Sequence, residues 1–345
     1  MSALPAFGLD IGSQTIKAVW LEKNKSGFRL KSYFKVPTPS HGMASVSPID
    51  EEQMIQAISK SVSEAKIGTK QVAVALPDNQ VYTKVIETPN LNDKELESSI
   101  NWIAEQYIPA QLSTVMLDWH VLERNIKSQN GMKMLVMLAG APLTLLQKYQ
   151  RIFEYAGFTL SAVETEMLAT IRAVIANTSV PISMVLTIGN LSSSIAIVQN
   201  GIVSFIYTIP VGSSAINRAI ASNFALTIQQ ADEYKRVYGI RDKAVGGKIR
   251  TAIEPILTSL VDEIKKGIAF YRERQQGNVA IAQVIISGGT AKMPGIDLYF
   301  VNSLGLETIV ANPWRSLNIE NVPEDILDEG PEFAIAIGLA IKENE

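Results

Sequence analysis

The sequence predicts a two-lobed α/β protein whose lobes are related by an internal duplication. Three observations carry this prediction. The chain has 345 residues, which is more than one hydrophobic core usually holds. A strand–turn–strand pattern near the start returns about half a chain later. A glycine pair then follows a buried strand near the end of the chain, just before a predicted helix.

The duplicated unit is a hairpin followed by a third strand. Its first copy, residues 7–22, reads FGLDIGSQTIKAVWLE, and its second, residues 183–198, reads SMVLTIGNLSSSIAIV. Aligned on the turn, Asp10 and Gly12 match Thr187 and Gly189. Each copy then turns, at residues 24–27 and 199–201, and enters a further alternating strand, as hairpins do. Similarity at this distance indicates two related lobes, not a short-repeat solenoid.

Both hairpin turns have the composition of a phosphate-binding site. Glycine lets the backbone approach a ligand closely, and successive N–H groups in a turn can hold an anion. Lys17 would add positive charge, and Asp10 would orient a water molecule bound to magnesium. The alternative is two unrelated hairpins with glycine turns, but the matched pair favours phosphate binding.

A third glycine-rich turn lies in residues 284–305, which read VIISGGTAKMPGIDLYFVNSLG. A buried strand leads into Gly288 and Gly289, and a helix is predicted to begin near Pro294, because proline is favoured in a first helical turn. This order can place backbone against a phosphate or a flat ligand. The turn matches neither a Walker A loop nor the GxGxxG fingerprint, which disfavours P-loop and Rossmann folds.

The composition excludes several classes of function. Hydrophobic residues make up 47% of the chain and charged residues 19%, which is typical of a globular protein with a large core. The net charge of -3 favours no nucleic-acid partner. The chain has no cysteine and two histidines, so disulfides, thiolate chemistry and histidine-rich metal sites are excluded. We expect neither a secretory signal nor direct membrane insertion.

These motifs together resemble the actin, Hsp70 and sugar-kinase superfamily, and within it most closely the PilM family of type IV pilus assembly proteins, with the cell-division protein FtsA next. The resemblance covers nearly the whole chain. It rests on LDIGSQTIKAV, on the GGTA turn, on residues 77–123, which resemble the subdomain inserted in PilM and FtsA, and on residues 209–239. It implies an actin-like, ribonuclease H-like duplicated fold with a small α+β insert in the first lobe.

The resemblance also implies a domain order. We expect a first-lobe core at residues 1–81, an inserted α+β subdomain at 82–157 and a connecting helix at 158–180. The second-lobe core would occupy residues 181–212 and 279–325, separated by a helical subdomain at 213–278. A hinge-like helix would close the chain at 326–345. The sequence leaves open whether this last helix is a hinge or simply a buried terminal helix.

Residue by residue, the resemblance implies an ATP site. Gly12, Ser13, Gln14, Thr15 and Lys17 would form the first phosphate turn, and Gly189, Asn190 and Ser192 the second. Asp232 and Lys235 share a helix face and would contact ribose and adenine, the alternative being a solvated surface ion pair. Gly288, Gly289 and Thr290 would close over the nucleoside, and Asp10 would hold Mg through water and serve catalysis.

One position departs from the family pattern. The second phosphate loop usually carries an aspartate where this chain has Thr187, which can hydrogen-bond but carries no charge. Glu164 or Glu166 could position water at the cleft floor, or could simply favour a helix start through the helix dipole. Because hydrolysis needs an oriented water and charge compensation, we expect ATP binding with weak or no ATPase activity.

The resemblance implies a cytoplasmic scaffold, peripheral at the inner face of the membrane through a partner. That partner would be the cytoplasmic peptide tail of a PilN-like membrane protein, bound in a groove between the first lobe and the insert; other pilus assembly proteins and self-association are further expectations. An FtsA-like filament protein is an alternative, less favoured because no amphipathic helix follows the last predicted helix. A metabolic kinase is another, disfavoured by the insert. The residues do not separate a pilus from a related secretion system.

Overall fold

The computed structural model describes residues 5–25, 27–128, 131–176, 178–241, 247–274 and 280–342. Within these ranges fourteen strands form three sheets. In chain order the strands are β1 (Phe7–Ile11), β2 (Thr15–Lys23), β3 (Phe28–Pro37), β4 (Gln71–Leu76), β5 (Tyr82–Pro89), β6 (Val115–Ser128), β7 (Gly131–Pro142), β8 (Thr159–Thr165), β9 (Ile182–Ile188), β10 (Ser193–Gln199), β11 (Ile202–Ile209), β12 (Gln283–Ser287), β13 (Glu307–Val310) and β14 (Ile319–Glu320).

Ten α-helices lie in the same described ranges. In chain order they are α1 (Pro48–Glu64), α2 (Asp93–Ala104), α3 (Leu143–Tyr155), α4 (Glu166–Ile175), α5 (Ser213–Phe224), α6 (Ile228–Tyr238), α7 (Lys248–Arg274), α8 (Ile296–Leu304), α9 (Pro313–Ser316) and α10 (Gly330–Lys342).

The first lobe is built on a six-stranded sheet in the order β14-β3-β2-β1-β4-β8. Strands β1, β2 and β3 form antiparallel hairpins, whereas β1 pairs with β4 and β4 with β8 in parallel. Because side chains alternate along a strand, Phe7, Leu9 and Ile11 pack with α1 and α3. Gly8 and Asp10 point to the opposite face, and Gly8 lies against α10.

The second lobe repeats the hairpin arrangement. Its five-stranded sheet has the order β11-β10-β9-β12-β13, with β9, β10 and β11 antiparallel and β12 parallel to β9. Helices α5 to α8 cover one face through a large apolar cluster. The other face shares a core with α4 and α10. These two helices therefore lie between the sheets of the two lobes.

Glycine makes this central packing possible. A Cβ on Gly8 would lie 2.1 Å from the carbonyl oxygen of Ala336 in α10, and a Cβ on Gly338 would lie 1.8 Å from that of Ala169 in α4. Only a residue without a side chain allows backbones to come so close. The last helix, whose role the sequence left open, is buried in the core common to both lobes.

The insert is a small α+β layer in the first lobe. Its sheet has the order β5-β7-β6, and α2 covers one face through Leu96, Ile100 and Ala104. Helix α2 begins with a capping box between Asn92 and Glu95, a pattern that satisfies free N–H groups at a helix start. Helix α3 follows β7 directly and packs on α1, so the end of the predicted 82–157 subdomain lies against the first-lobe core.

The structure corrects two details of the prediction. Residues 158–180 do not form one connecting helix, since β8 precedes α4 and its alternating burial matches an edge strand. Strand β14, expected in the second lobe, pairs with β3 of the first. Helix α8 begins at Ile296, near Pro294 as predicted, after Gly295, which has a φ of 83°. Parts of the predicted domains lie outside the described residues: Ser26 in the first turn, residues 242–246 and 275–278 in the helical subdomain, 343–345 in the last helix, and residues 1–4, 129–130, 177 and 279 elsewhere.

None of the helices in the described ranges combines the length and the apolar character that crossing a bilayer requires.

Candidate functional site

A cavity of about 380 Å³ lies between the lobes. Besides Glu166, it collects fourteen residues to which the sequence analysis assigned roles. They are Asp10, Gly12, Ser13, Gln14, Thr15, Lys17, Gly189, Asn190, Ser192, Asp232, Lys235, Gly288, Gly289 and Thr290. Residues separated by most of the chain are thus brought into one cleft by the two-lobed fold.

The first hairpin turn is closed by a backbone hydrogen bond from Gly12 N to Thr15 O of 3.1 Å. Behind the turn, Asp10 and Lys17 are direct cross-strand partners on β1 and β2. Lys17 Nζ donates to Asp10 Oδ2 at 2.7 Å, and both side chains are buried. The pair is therefore a desolvated ion pair in the floor of the cleft, with its hydrogen bond strengthened by both charges.

The second hairpin turn repeats this geometry. Gly189 N donates to Ser192 O at 3.0 Å, and on β9 and β10 the register pairs Thr187 with Ser194. Thr187 thus occupies the position of Asp10, as the sequence alignment predicted, and Ser194 that of Lys17. The two turns therefore share the same closing hydrogen bond. The register positions that carry opposite charges in the first lobe are occupied in the second by Thr187 and Ser194, which are neutral.

The two turns touch each other across the cleft. The side-chain amide of Asn190 donates to Ser13 Oγ at 2.9 Å. The N-terminus of α5 anchors the second turn, because Ser213 N donates to Gly189 O at 2.9 Å and Ser214 N to Asn190 O at 2.9 Å. On the other side Thr38 donates through its backbone to Gln14 O and through Oγ1 to Gly12 O. Both turns are therefore held by backbone contacts before any ligand binds.

A charged network borders the cleft beside Lys17. Lys35, the β3 partner of Lys17, donates to Glu332 at 2.7 Å and to Glu329 at 3.0 Å. Lys292, in the turn after β12, donates to Glu332 at 3.0 Å. Burial raises the pKa of Glu332, but the hydrogen bond and charge of Lys35 and the charge of Lys292 outweigh it and lower that pKa. The start of α10 thus links the two lobes electrostatically.

The predicted pair on α6 is not a solvated surface pair. Lys235 Nζ lies 2.7 Å from Asp232 Oδ1, and the lysine is only 5% exposed. Asn217 Nδ2 donates to the same carboxylate at 3.0 Å, and Arg236 contacts its other oxygen at 2.8 Å. Burial lowers the pKa of Lys235, although Asp232 partly offsets that effect. Such a buried, fixed pair at the cleft wall can present polar groups to a ligand.

The glycine pair after β12 forms another part of the cleft wall. Gly288 has a φ of 88°, and a Cβ there would lie 2.7 Å from Ile188 O. Its N–H donates to Pro331 O at 2.9 Å, where α10 begins. A Cβ on Gly289 would meet only Glu332, at 3.8 Å. Gly288 is therefore required by the backbone, whereas Gly289 leaves open space at the cleft.

Glu164, to which the sequence analysis also assigned a role, lies outside the cleft. Its carboxylate pairs with Arg172 at 2.5 Å and with Lys342 at 3.3 Å, and it does not line the cavity. Glu166, the other acidic residue considered for the cleft floor, does line it. Strand β8 ends at Thr165 and α4 begins at Glu166, so the two carboxylates leave the backbone in different directions. Burial, then the nearby charges of Asp78 and Asp10, raise the pKa of Glu166 well above its usual value.

Asp78 is a cleft residue that the sequence analysis did not identify. It follows β4, is buried and lines the cavity. Its Oδ1 accepts from Met167 N at 3.1 Å, and its own N–H donates to Glu166 Oε2 at 3.3 Å. Burial raises its pKa to about 6, although hydrogen bonds from Met167 and Ser194 oppose the shift. The available signal was its position, because residues after the carboxyl end of a parallel strand commonly face a ligand.

Within the described residues, no three or more histidine, aspartate or glutamate side chains converge so as to hold a bare metal ion. Magnesium bound to a ligand's phosphates would need few protein carboxylates, because this ion keeps several waters, and Asp10 lines the cavity.

Comparison with known proteins shows which family and which solved structures the chain resembles. The profile of the family described as type IV pilus assembly protein PilM matches residues 8–344. The structure of a PilM-PilN type IV pilus biogenesis complex is similar with a TM-score of 0.86 and 27% identity, over 99% of both chains.

Two further solved structures share the fold at lower identity. The ethanolamine utilization protein EutJ from Carboxydothermus hydrogenoformans has a TM-score of 0.59 and 15% identity over 99% of this chain and 90% of its own. MreB5 of Spiroplasma citri bound to AMPPNP has a TM-score of 0.56 and 14% identity over 100% of this chain and 97% of its own. These neighbours confirm the predicted two-lobed actin-like fold.

Proposed function

Because the chain belongs to the PilM family of type IV pilus assembly proteins, we propose that it is a cytoplasmic, ATP-binding scaffold that docks on a PilN-like membrane protein. The observation that carries the nucleotide part is the pair of matched hairpin turns facing one cavity and joined by Asn190 and Ser13. The partner is proposed from the PilM-PilN complex, which this chain resembles over 99% of its length. It would hold the protein at the inner face of the membrane.

In this proposal the residues divide by chemistry. The turn N–H groups and Lys17 bind phosphates, whereas Asp232 and Lys235 bind the ribose and adenine and the Gly288–Gly289 turn closes over the nucleoside. Magnesium would neutralise phosphate charge, with Asp10 ordering one of its waters. Because Glu166 lines the cleft and Glu164 does not, we assign to Glu166 the role of orienting a water at the cleft floor. With a neutral Thr187 in the second hairpin, we expect slow turnover or none.

The PilN-like tail would bind between the first lobe and the insert, where an extended peptide can use main-chain pairing and side-chain pockets. ATP would bridge both hairpins, and so it would change the lobe arrangement and with it the affinity for the tail.

The test is calorimetric titration of the full chain with Mg-ATP, and with a peptide of the PilN-like tail at zero and saturating Mg-ATP. Ser13→Trp fills the cleft from an exposed position, and Ser259→Trp places the same side chain on the exposed side of α7. We expect Ser13→Trp alone to abolish ATP binding while leaving peptide binding in place. ATP binding that survives Ser13→Trp would contradict the assigned site, and a tail affinity that does not respond to Mg-ATP would contradict the coupling.

A further inference from the structure

Asp78 connects both lobes at the cleft floor. Its carboxylate accepts from Met167 N at 3.1 Å in α4, and its backbone N–H holds Glu166 Oε2 at 3.3 Å. Across the cavity floor it shares the lining with Ser194 of β10. The residue is buried although it lines the cavity. One carboxylate therefore faces the cavity that the second hairpin also lines, and it fixes the segment that carries Glu166.

The second hairpin lacks a carboxylate of its own. In the duplicated register, Asp10 and Lys17 correspond to Thr187 and Ser194. The hydroxyl oxygen of Thr187 is buried and has no hydrogen-bond partner among the described residues, and Thr187 lines the cavity. Asp78 lines the same cavity as the serine of this row. The carboxylate missing from β9 is thus present beside β10, contributed by the other lobe.

A purely structural role does not explain a carboxylate here. Helix α4 already has Thr165 as its N-cap, with the side chain accepting from Leu168 N. An asparagine at position 78 could accept the same hydrogen bonds without a charge. Burying a carboxylate is costly unless a cation or strong hydrogen bonds compensate, so retention of the charge indicates a cationic ligand in the cleft.

We propose that Asp78 is a positioning residue for magnesium-nucleotide, supplying to the second hairpin the negative charge that Thr187 lacks and holding Ser194 and Glu166 in place. The inference rests on the proposed nucleotide site and adds a residue to it. In this arrangement the dependence of ATP binding on magnesium is due to two carboxylates. Asp10 serves the first hairpin and Asp78 the second.

The test compares ATP affinity in Mg²⁺ with ATP affinity in EDTA, by calorimetry at pH 7.5. We expect Asp78→Asn to weaken Mg-ATP binding by about tenfold while changing metal-free ATP binding little, since the lost charge interaction is with the cation. The double variant Asp78→Asn/Thr187→Asp returns the carboxylate to the position that matches Asp10, and it is expected to restore the magnesium dependence. Asp262→Asn, on the exposed side of α7, is the matched control.

The outcomes separate this inference from the proposed function. Equal loss with and without Mg²⁺ in Asp78→Asn, or no rescue by Thr187→Asp, would show that Asp78 only supports the fold. A wild-type protein that binds Mg-ATP with a magnesium dependence unchanged by Asp78→Asn would overturn the inference and leave the nucleotide site standing. A wild-type protein that binds no ATP in either condition would overturn the nucleotide site itself.

Discussion

Asn190 and Ser13 are joined by a hydrogen bond of 2.9 Å between turns that lie 177 positions apart in the chain. Each belongs to one copy of the duplicated hairpin, and each turn is closed by the same backbone bond, Gly12 N to Thr15 O or Gly189 N to Ser192 O. This contact brings the two lobes together where phosphates would bind.

The first prediction concerns that contact. Asn190→Ala and Ser13→Ala each remove one partner, and we expect each to lower ATP affinity by about three- to tenfold, because one hydrogen bond contributes roughly 1 kcal/mol. The double variant should be no weaker than the worse single variant if the bond is the shared cause. Calorimetry on the three variants measures this; additive losses would show that the two side chains act separately.

The second prediction concerns the buried pair Asp10–Lys17. Lys17→Met leaves Asp10 buried without its cation, and we expect the free energy of unfolding to fall by about 3–5 kcal/mol. The double variant Asp10→Asn/Lys17→Met removes both charges and should recover most of that stability without recovering ATP binding. Urea denaturation measures the first quantity and calorimetry the second.

Lys31→Met is the control for this pair, since Lys31 forms an exposed ion pair with Glu22 at 3.4 Å in the same sheet. Exposed pairs contribute little to stability. A Lys17→Met protein as stable as Lys31→Met would contradict the desolvated pair.

The third prediction is a pH dependence at Asp78. Burial raises its pKa from 3.8 to about 6, so the folded protein holds a proton that the unfolded chain releases between those pH values. Stability therefore falls as pH rises through this window and stays lower above it. Asp78→Asn removes this loss, and we expect it to exceed wild type by roughly 1–3 kcal/mol above pH 7 and by nothing near pH 4.

Urea denaturation from about pH 4 to 8 measures this difference. A difference that is the same at every pH would mean that the asparagine changes packing or hydrogen bonds only. Together with the expected loss of Mg-ATP affinity, a gain in stability would show a charge kept for binding at the expense of the fold.

The fourth prediction concerns the close approach of α10 and α4. A Cβ on Gly338 would lie 1.8 Å from the Ala169 carbonyl, so Gly338→Ala must push two helices apart, and we expect a loss of more than about 3 kcal/mol. Gly267→Ala is the matched control in α7. Its Cβ would meet the terminal methyl of Ile195 at 2.8 Å and a ring atom of Tyr207 at 3.3 Å. These are side-chain atoms that can shift, whereas the contact at Gly338 is with backbone, and alanine favours a helix by about 1 kcal/mol. Thermal unfolding of the two variants measures both effects, and equal melting temperatures would contradict the prediction.

The fifth prediction concerns Lys148, which joins the insert side of the first lobe to the cleft mouth. It lies on α3, directly after β7 of the insert, and its buried Nζ donates to Met43 O at 2.7 Å and to Ser45 O. Residues 41–44 line the cavity. Lys148→Met leaves these carbonyls without a donor, so we expect faster hydrogen exchange at residues 41–46 and ATP affinity lowered about three- to tenfold.

Lys60→Met, at an exposed position on α1, is the control for Lys148. Unchanged exchange in Lys148→Met would show that the segment is held by its other contacts, including Ser45 with Asp50.

The hairpins could be predicted because their signals are local. Alternation along β1 and β2 and the glycine of the turn act within a few residues, and a repeat of the same pattern around Gly189 leaves little ambiguity. Residues 158–180 were predicted less well, since the change from β8 to α4 falls between Thr165 and Glu166 without a glycine or proline to mark it. That boundary decides which of Glu164 and Glu166 faces the cleft.

Asp78 shows which part of the candidate site the sequence could not predict. By sequence Pro77-Asp78 resembles an ordinary turn after a strand. Its meaning depends on Ser194 and Met167, which reach it only after both lobes have packed around α4 and α10. Burial, and with it the raised pKa, is a property of that assembly.

The sequence by itself determined the duplicated hairpins, the glycine turns and the family, because periodicity and turn chemistry depend only on residues close together in the chain. Only the tertiary structure decided which carboxylates meet in the cleft, that Lys235 and Asp232 form a buried pair, and that the last helix lies between the lobes. Those outcomes depend on distances between residues far apart in the chain, and such distances follow from how closely two sheets pack around helices that carry Gly338 and Ala169.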